Sequence, residues 1–419
     1  MQEETVATLD IGTTKVVVTI VRREISSNGE VRCEVIGMGK EPFNSIKHGM
    51  MVNIETTSEV IKKAVERAEL MAGERISSLL ANISSLPTVG KQSKGIIAIS
   101  GGERKDNREV SVEDIMRAIE MAESISVQSD KVILHSIPCE FMVDSLKVEE
   151  PLGASGVRLE VDVYLVLCHH AALENLEKVV SLTGLSIKDV TLQSLASAEA
   201  VLSEEEKKSG ALVLDIGGTT TDIVAYREDS VWFTDAIEIG SHHITKDMAY
   251  GLRTSLPQAE EIKCKYGFAK ETLASEHEFV TIPLLSYKKT SRISKKAIAQ
   301  IIEARAVEIL TLCKESVEKE NFLRNLESGI VITGGGALLS GIIELAEEIF
   351  EMPARMGEPI DTVGIEDEIH HPAYTTSVGL AKLHFLKRPT EKRISKNNER
   401  AEKSKSFSGL KKYIKNFFN

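Results

Sequence analysis

The stretch Leu9-Asp10-Ile11-Gly12-Thr13-Thr14 returns in the second half of the chain as Leu214-Asp215-Ile216-Gly217-Gly218-Thr219-Thr220. In each place an aliphatic, strand-like segment precedes the turn and another follows it, over residues 6–9 and 16–21 in the first case. A repeated strand–turn–strand unit predicts two similar domains that face each other. Because the repeat is short, two unrelated glycine hairpins remain an alternative.

Both turns carry the residue types of a phosphate site. Glycine lets backbone N–H groups approach an anion and threonine adds hydroxyl donors; the residues concerned are Gly12, Thr13, Thr14, Gly217, Gly218, Thr219 and Thr220. The carboxylates of Asp10 and Asp215 would repel phosphate, so we expect them to hold a hydrated Mg²⁺ that bridges its oxygens. Lys15 can supply a point charge. Neither turn is a Walker loop, because the chain contains no G-x-x-x-x-G-K-[ST] pattern.

Two further segments are candidates for the ribose and base of a nucleotide. An apolar run enters Gly334, Gly335, Gly336 and Ala337, before a helix-like segment at 342–350, and such a bare turn lets a flat ligand pack against backbone. A strand-to-helix turn without a ligand is the alternative. Glu260 and Lys263 are three residues apart in a helix-like stretch and share a face; a solvated ion pair is the alternative for them.

Length and periodicity indicate the architecture. A chain of 419 residues is too long for one compact core, and strand-like segments alternate with helix-like ones at 57–71, 114–124 and 171–182. This pattern predicts an α/β protein of two or more domains. Residues 159–167 alternate in polarity and predict a half-buried strand. Aromatic residues make up only 5% of the chain, so we expect a mainly aliphatic core.

Cysteine and histidine indicate no metal site. The five cysteines are scattered without C-x-x-C spacing, which predicts reduced core residues, not disulfides or zinc ligands. The pairs His169-His170, His242-His243 and His370-His371 chelate poorly, because neighbours on a strand point to opposite faces. No apolar run is long enough to cross a bilayer and no leader-like stretch follows Met1, so we expect no secretory signal.

Charge is distributed unevenly along the chain. Residues 387–419 contain eleven Lys or Arg and three Glu, a local balance of +8, whereas the whole chain carries −12. The body is therefore strongly acidic, which argues against nucleic acid as its partner, while the basic tail favours an anionic surface.

The tail itself has two parts. Residues 387–405 contain one large aliphatic side chain, Ile394, and predict a flexible linker. Residues 406–419 predict an amphipathic helix, with Lys411, Lys412 and Lys415 turned away from an apolar face formed by Phe407, Leu410, Ile414, Phe417 and Phe418. A basic polar face with large apolar residues is typical of an interfacial membrane anchor. Docking of this helix onto the chain's own body is the alternative, but a docked helix needs no linker.

These turns resemble those of the actin, Hsp70 and sugar-kinase superfamily, and within it the chain is similar to the FtsA family of bacterial division proteins. The similarity extends over nearly the whole chain. It includes His135-Ser136-Ile137-Pro138 with Val143-Asp144, Pro151-Leu152-Gly153 with Arg158-Leu159-Glu160, Leu195-Ala196-Ser197 with Ala200-Val201-Leu202, His243-Ile244-Thr245-Lys246-Asp247, and Ala259-Glu260-Glu261-Ile262-Lys263 with Tyr266-Gly267. Two small departures are Thr219 and Ser241, which stand where the family often has glycine.

The resemblance implies an actin-like, two-domain ATPase fold with four subdomains. The first large subdomain would comprise residues 1–83 and 157–205, with a small subdomain inserted at 84–156. The second large subdomain would comprise 206–243 and 312–386. A second small subdomain would occupy 244–311.

It also implies a function: ATP and Mg²⁺ bind in the central cleft, the protein polymerises on the cytoplasmic membrane at the division septum, and it tethers FtsZ filaments there. Arg305 and Glu308 are the residues carried over for binding the C-terminal peptide of FtsZ, and a solvated helix face is the alternative for them. Later division proteins would be recruited as further partners.

Hydrolysis of ATP requires a group that orients water. In the superfamily this group lies on the segment entering the second domain, which is Gln193 here, and with Asp215 it forms the candidate catalytic pair. An amide cannot accept the proton of the water, so we expect at most slow hydrolysis. Two other functions remain open: a phosphotransferase of the sugar-kinase branch, and an actin-like ATP-binding protein of pilus assembly. The basic tail disfavours both.

Overall fold

A computed structural model confirms the α/β architecture. It describes residues 4–25, 31–43, 46–47, 50–51, 53–84, 86, 88–100, 108–285, 290–320, 322–323, 326–365 and 369–386. The predicted linker 387–405 and amphipathic helix 406–419 lie outside the described residues.

The first large sheet contains the first predicted turn. Its strands are β1 (Thr5–Ile11), β2 (Lys15–Ile25), β3 (Val31–Pro42), β6 (Ser78–Ile83), β11 (Ser186–Leu192) and β19 (Thr362–Gly364). They lie in the order β11-β6-β1-β2-β3-β19. β1 pairs antiparallel with β2 and parallel with β6, so the turn projects from the centre of the sheet. The short strands β4 (Ile46–Lys47) and β5 (Met50–Met51) pair separately.

The second large sheet repeats this arrangement. Its strands are β12 (Ala211–Ile216), β13 (Thr221–Arg227), β14 (Ser230–Ile237), β17 (Ile330–Thr333) and β18 (Ala354–Met356). They lie in the order β14-β13-β12-β17-β18, with β12 antiparallel to β13 and parallel to β17. The pairings match those of β3-β2-β1-β6-β11 strand for strand. The predicted duplication is therefore confirmed, and the alternative of two unrelated hairpins is wrong.

Helix α1 (Ile54–Ala72) covers one face of the first sheet. The Asn53 side chain caps its start, and it ends at Gly73, which adopts the left-handed conformation with φ of 69°. The helix backbone lies directly on β3, since a Cβ atom at Gly39 would stand 1.9 Å from the Ala64 carbonyl oxygen. Helix α3 (His170–Ser181) packs beside α1.

The small inserted sheet extends further along the chain than predicted. Its strands are β7 (Thr88–Ala98), β8 (Lys131–Val143), β9 (Leu146–Val148) and β10 (Arg158–His169), in the order β7-β10-β8-β9. Helix α2 (Val112–Glu123) covers one face. Because β10 pairs with both β7 and β8, the predicted limit at residue 156 divides this sheet, and the inserted unit ends after β10.

Strand β10 is buried on both faces, so the predicted half-buried strand is wrong. Val161, Val163 and Leu165 join the core beneath α2. Tyr164 and Val166 belong to a different core, shared with the second large sheet. The Tyr164 hydroxyl accepts a hydrogen bond from the Thr234 N–H of β14 at 2.8 Å. The face expected to meet solvent therefore packs against another subdomain.

The second small subdomain consists of three helices and a hairpin. Its elements are α6 (Ser241–Leu252), α7 (Leu256–Tyr266), β15 (Phe279–Pro283), β16 (Thr290–Ser294) and α8 (Lys295–Lys319). α8 continues beyond the predicted limit at 311 and packs on β14. One mostly aliphatic core therefore joins this subdomain to the second large sheet, as the composition predicted.

The C-terminal part of the described chain returns to the first sheet, which corrects the predicted range 312–386. After α4 (Gln193–Val201), α5 (Glu204–Ser209) and α9 (Ile342–Phe350), the chain forms β19 and then α10 (Thr375–Leu386). β19 pairs with β3, and Phe385 of α10 packs with Val6 and Val21. α10 crosses α4 in backbone contact, since a Cβ at Gly379 would lie 1.7 Å from the Ala196 carbonyl oxygen.

Candidate functional site

The three glycine turns meet at one cavity of about 800 Å³ between the two large sheets. It is lined by most of the residues predicted for nucleotide binding, namely Asp10, Gly12, Thr13, Thr14, Lys15, Gln193, Asp215, Gly217, Gly218, Thr220, Glu260, Lys263, Gly334, Gly335 and Gly336. Thr219 contacts Thr13, and Ala337 is buried. The volume is typical of a small-molecule site.

The two phosphate-type turns share a backbone hydrogen-bond pattern and contact each other. The Gly12 N–H donates to the Lys15 carbonyl at 3.0 Å, and the Gly217 N–H donates to the Thr220 carbonyl at 2.9 Å. Across the cleft, the hydroxyl oxygens of Thr13 and Thr219 are 2.9 Å apart. The duplicated turns therefore face each other directly.

The carboxylates of Asp10 and Asp215 lie at this junction, each buried at the end of its strand. Desolvation by burial raises the pKa of Asp10 to about 6 against a lowering effect of Lys15, and burial likewise raises the pKa of Asp215. Their hydrogen-bond donors are neutral: Asn82 donates to Asp10 at 2.9 Å, while Ser197 donates to Asp215 at 2.6 Å. Two desolvated carboxylates with neutral donors favour a cation nearby.

Gln193 is hydrogen-bonded directly to Asp215 and is linked to Asp10 through Asn82. It is the first residue of α4, and its side-chain N–H donates to Asp215 at 3.3 Å. Its carbonyl oxygen accepts from Asn82 at 3.2 Å. The candidate water-orienting residue is therefore hydrogen-bonded toward both turns.

Lys15 is positioned by the segment that precedes α10. Its ammonium donates to the Ala373 carbonyl at 2.9 Å and lies 4.1 Å from the centre of the Tyr374 ring. Burial lowers the pKa of Lys15, although the nearby Asp10 acts to raise it. These contacts hold a desolvated cation at the wall of the cavity, where an anion would stabilise its charge.

The third glycine turn packs tightly on the second. Gly334 has φ of 81°, and a Cβ on it would lie 2.3 Å from an Asp215 carboxylate oxygen. A Cβ on Gly336 would lie 2.3 Å from the Ile216 side chain, whereas one on Gly335 would meet no atom within 4 Å. Two of the glycines are therefore required by close packing, and Gly335 leaves open backbone.

Glu260 and Lys263 form an ion pair at 2.8 Å on α7 at the cavity wall. Lys263 also donates to the Thr245 hydroxyl at 2.9 Å, and Thr245 donates to Glu260. Burial acts to raise the pKa of Glu260, but the hydrogen bonds from Lys263 and Thr245 hold it below its ordinary value. The pair is thus a partly buried network with α6 and not a solvated ion pair.

The start of α6 also contributes to the second turn. Ser241 and His242 donate backbone hydrogen bonds to the Gly217 and Gly218 carbonyls at 2.9 and 2.7 Å. A Cβ at Gly240 would lie 2.6 Å from the Gly217 oxygen. At the position where the family often has glycine, the Ser241 hydroxyl donates to the same oxygen at 3.0 Å, so this departure adds a bond.

Arg305 and Glu308 lie on α8 and do not line the cavity. Arg305 donates to an Asp247 carboxylate oxygen of α6 at 2.6 Å and forms an ion pair with Glu308. The next α6 turn exposes Tyr250, whose side chain is 90% accessible. Arg305 and Glu308 of α8, with Asp247 and Tyr250 of α6, therefore belong to a surface that is separate from the cavity between the two large sheets.

Several residues around the cavity were not predicted. Asn82 is the penultimate residue of β6, the parallel neighbour of β1. Parallel strand ends meet at one edge of a sheet, so the sheet order alone indicates it. Ser197 lies one helical turn after Gln193, within a stretch that carries the family resemblance but had no predicted role. No sequence pattern indicates the Tyr374 ring beside Lys15, because the ring reaches the site only when the chain returns to the first sheet.

Within the described ranges, no group of three or more His, Cys, Asp or Glu is arranged to hold a metal ion. His169 pairs with Asp130 and His170 with Glu174. Cys33, Cys168 and Cys313 are buried as predicted, but Cys264 is exposed and lines the cavity, which corrects its assignment to the core. In the part of the chain that the structure describes, no helix is sufficiently long and apolar to span a membrane.

Two family models match the chain. The model of "Cell division protein FtsA" matches residues 212–379, and that of the "SHS2 domain inserted in FTSA" matches residues 88–167. The second range agrees with the inserted sheet, including most of β10.

Relatives of this chain are described as cell division protein FtsA. That of Pseudomonas aeruginosa is 39% identical over 89% of this chain and 87% of its own length. That of Borreliella burgdorferi is 34% identical over 97% of this chain and 98% of its own. That of Escherichia coli is 32% identical over 90% and 89%.

Solved structures with the same fold are more distant in sequence. A PilM–PilN type IV pilus biogenesis complex matches with a TM-score of 0.63 at 18% identity, covering 90% of this chain and 98% of that one. MreB5 of Spiroplasma citri bound to ADP matches with a TM-score of 0.54 at 15% identity, covering 95% and 99%. At these identities they show the fold alone. Together, the relatives and the fold place the chain in the FtsA family of cell division proteins, with an actin-like fold.

Proposed function

We propose that this chain is an ATP-binding adaptor of cell division, which assembles on the cytoplasmic membrane and tethers FtsZ filaments there. The observation that carries the proposal is the junction of the two phosphate-type turns, where the Asp10 and Asp215 carboxylates face one cavity with Lys15 beside them. An acidic pair with an ammonium and glycine-turn N–H groups suits Mg²⁺ and phosphate together.

The residues around the cavity fit Mg-ATP from end to end. Asp10 and Asp215 would hold the hydrated Mg²⁺, while the two turns and Lys15 would hold the phosphates. The Glu260–Lys263 pair and the open backbone at Gly335 would accept the ribose and base. A neutral donor set around two buried carboxylates supports the cation, because a cation would relieve the desolvation that raises their pKa.

Hydrolysis would be slow in this arrangement. Gln193 lines the cavity and donates to Asp215, and it would orient the attacking water. Its amide cannot accept a proton, so general base catalysis is not available from it. Binding of ATP would then act chiefly by favouring the state that assembles, since a ligand shifts an equilibrium by its differential affinity.

The proposed FtsZ site is the surface of Arg305, Glu308 and Asp247. Arg305 is held by Asp247 while its side chain keeps 26% of its accessibility. Tyr250, one helical turn after Asp247 on α6, is exposed. Arg and Tyr are typical anchors of peptide recognition. The inserted subdomain, now ending after β10, is where later division proteins would bind.

The proposed membrane anchor is the helix 406–419, which lies outside the described residues. Its apolar side chains would each contribute about 1.5–3 kcal/mol if fully buried, and less in a headgroup layer. A single anchor of this kind is weak, so filaments that link many copies would make attachment stable. The two rival functions lack comparable support: similarity to the pilus protein stands at 18% identity, and neither function requires this tail.

Co-sedimentation with anionic vesicles tests the proposal in one assay. The full chain is compared with a chain ending at Arg388, each with and without Mg-ATP and with FtsZ added. We expect the full chain to pellet and to bring FtsZ with it, more strongly with Mg-ATP, while the truncated chain stays soluble. Equal pelleting of both chains would contradict the anchor, and soluble FtsZ beside pelleted full chain would contradict the tether.

A further inference from the structure

Asn82 lies behind the cavity, at the end of β6, and only 4% of it is accessible. It makes three side-chain hydrogen bonds. Its oxygen accepts from the Ile11 N–H at 3.0 Å, and its amide nitrogen donates to Asp10 at 2.9 Å and to the Gln193 oxygen at 3.2 Å. Both amide hydrogens of Asn82 are therefore used, one toward the first turn and one toward Gln193.

The orientation of both amides is dictated by the backbone. The Ile11 N–H can only donate, so the oxygen of Asn82 must face it and the nitrogen must face Asp10 and Gln193. Gln193 must then present its oxygen to Asn82. Its nitrogen faces the Asp215 carboxylate, to which it donates at 3.3 Å. A continuous set of hydrogen bonds thus joins the two aspartates through Asn82 and Gln193.

This arrangement restrains the group that would orient water. To do so, an amide must direct its oxygen to a water in the cavity. Gln193 lines the cavity, but its oxygen is turned toward Asn82, which does not belong to the cavity lining. The Gln193 oxygen keeps a second lone pair, but the amide is fixed at both ends, by Asn82 at its oxygen and by Asp215 at its nitrogen. Turning that oxygen into the cavity would therefore break the bond to Asn82.

We propose that Asn82 is a positioning residue that holds Gln193 away from the attacking water and so slows ATP hydrolysis. The inference rests on the proposed binding of ATP. In the hydrolysis step a water oxygen bonds to the γ-phosphorus while the bond to the bridging oxygen breaks. ADP keeps that electron pair; one proton of the water stays on the phosphate and the other goes to solvent. Asn82 acts on this step only through the orientation of Gln193.

The test is single-turnover hydrolysis together with ATP affinity in the Asn82→Ala variant of the full chain. We expect the rate at saturating Mg-ATP to rise about three- to tenfold, the equivalent of one net hydrogen bond. The affinity for Mg-ATP should fall by a similar factor, because Asn82 also donates to Asp10, so the rate is compared at saturation. In a Gln193→Ala background the same substitution should not raise the rate. Asn175→Ala on α3, remote from the cavity, is the matched control. A merely structural role of Asn82 would lower the rate at saturation.

A second measurement needs no nucleotide. Urea unfolding midpoints of the wild type, Asn82→Ala, Gln193→Ala and the double variant form a cycle, and we expect the effects to be non-additive because the residues share a bond. If Asn82→Ala does not fold, Asn82→Ser replaces it, since it keeps a small polar group at this position and is too short to replace the bond to Gln193.

The outcomes separate the two proposals. Failure of the wild type to bind ATP overturns the proposed function and this inference with it. ATP binding by the wild type, with an unchanged or lower rate at saturation in the variant, overturns this inference alone. A higher rate that persists without Gln193 also overturns it, as does an additive unfolding cycle. A higher rate that depends on Gln193, with a non-additive cycle, supports it.

Discussion

The first and second phosphate-type turns have the same backbone hydrogen-bond pattern but differ in their side chains. Each has its glycine N–H bonded to the carbonyl three residues on, from Gly12 to Lys15 and from Gly217 to Thr220. At this matched position the first turn carries a half-buried cation, Lys15. The second carries a threonine that is 7% accessible and contacts Asp222 at 3.5 Å.

The hydrogen-bond donors to the two aspartates also differ between the halves. Asp10 receives a hydrogen bond from the neighbouring strand, through Asn82, whereas Asp215 receives one from a helix, through Ser197 of α4. A third glycine turn closes on Asp215, and among the described residues no equivalent closes on Asp10. Duplication of the strand–turn–strand unit therefore repeats the geometry for an anion, while the charges around it are specialised in each half.

The largest effect should come from removing either carboxylate. Asp10→Asn and Asp215→Asn should each weaken Mg-ATP binding by about thirty- to thousandfold, the range for losing one partner of a buried charge pair. The measurement is nucleotide affinity in Mg²⁺ and in EDTA. Asp162→Asn, on β10 outside the cavity, is the control. Equal loss from both variants would mean that the halves share the cation, and loss from only one would assign it to that half.

A smaller effect on ATP affinity is expected at the matched position of the two turns, which is Lys15 in the first and Thr220 in the second. Lys15→Gln should weaken ATP binding by about ten- to hundredfold, because it removes a point charge from a desolvated wall. Thr220→Val, its counterpart, should weaken binding by only about two- to tenfold, because it removes a neutral hydroxyl donor and not a charge. The measurement is ATP affinity at low and high salt. Similar losses in the two variants would contradict the electrostatic asymmetry of the turns.

The smallest effect concerns the pH dependence of stability without nucleotide or Mg²⁺. Because the pKa of Asp10 is raised from 3.8 to about 6, the folded state binds the proton more tightly than the unfolded state. This contribution to stability is full below the unfolded pKa and is lost as the pH rises through the folded one. Between about pH 5 and pH 7, the wild type should lose about 1–1.5 kcal/mol more than Asp10→Asn.

Urea unfolding at the two pH values measures this difference. Parallel pH dependence in the wild type and the variant would show that Asp10 is not desolvated in the free protein. The same comparison with Asp215→Asn extends the test to the second turn, where burial also raises the pKa.

Much of the site follows from local sequence. The two turns and the run at Gly334–Gly336 were predicted because glycine after a strand, joined in the turns by aspartate and threonine, is typical of backbone that approaches a ligand. The helix Ile342–Phe350 has the bounds that its periodicity predicted. Glu260 and Lys263 share a helix face, as their spacing predicted, although local spacing does not reveal the burial that Thr245 and α6 provide.

The remainder depends on contacts between distant parts of the chain. β19 pairs with β3, from which it is separated by more than half of the sequence. No local sequence pattern predicts this pairing. Tyr374 reaches Lys15 for the same reason. The alternation in β10 indicated a solvent face, because a pattern of polarity does not show that a second subdomain covers it.

The crossing of α4 and α10 has a mechanical consequence. At Gly379 and Ala196 the two helices are in backbone contact, with no layer of side chains between them. Sliding one helix along the other would drive neighbouring side chains into that contact, whereas rotation about the contact point leaves the separation unchanged. The crossing therefore allows the two helices little freedom to slide past each other. α4 begins with Gln193 and α10 with Thr375, and both residues line the cavity, so this contact ties two parts of the cavity wall to each other.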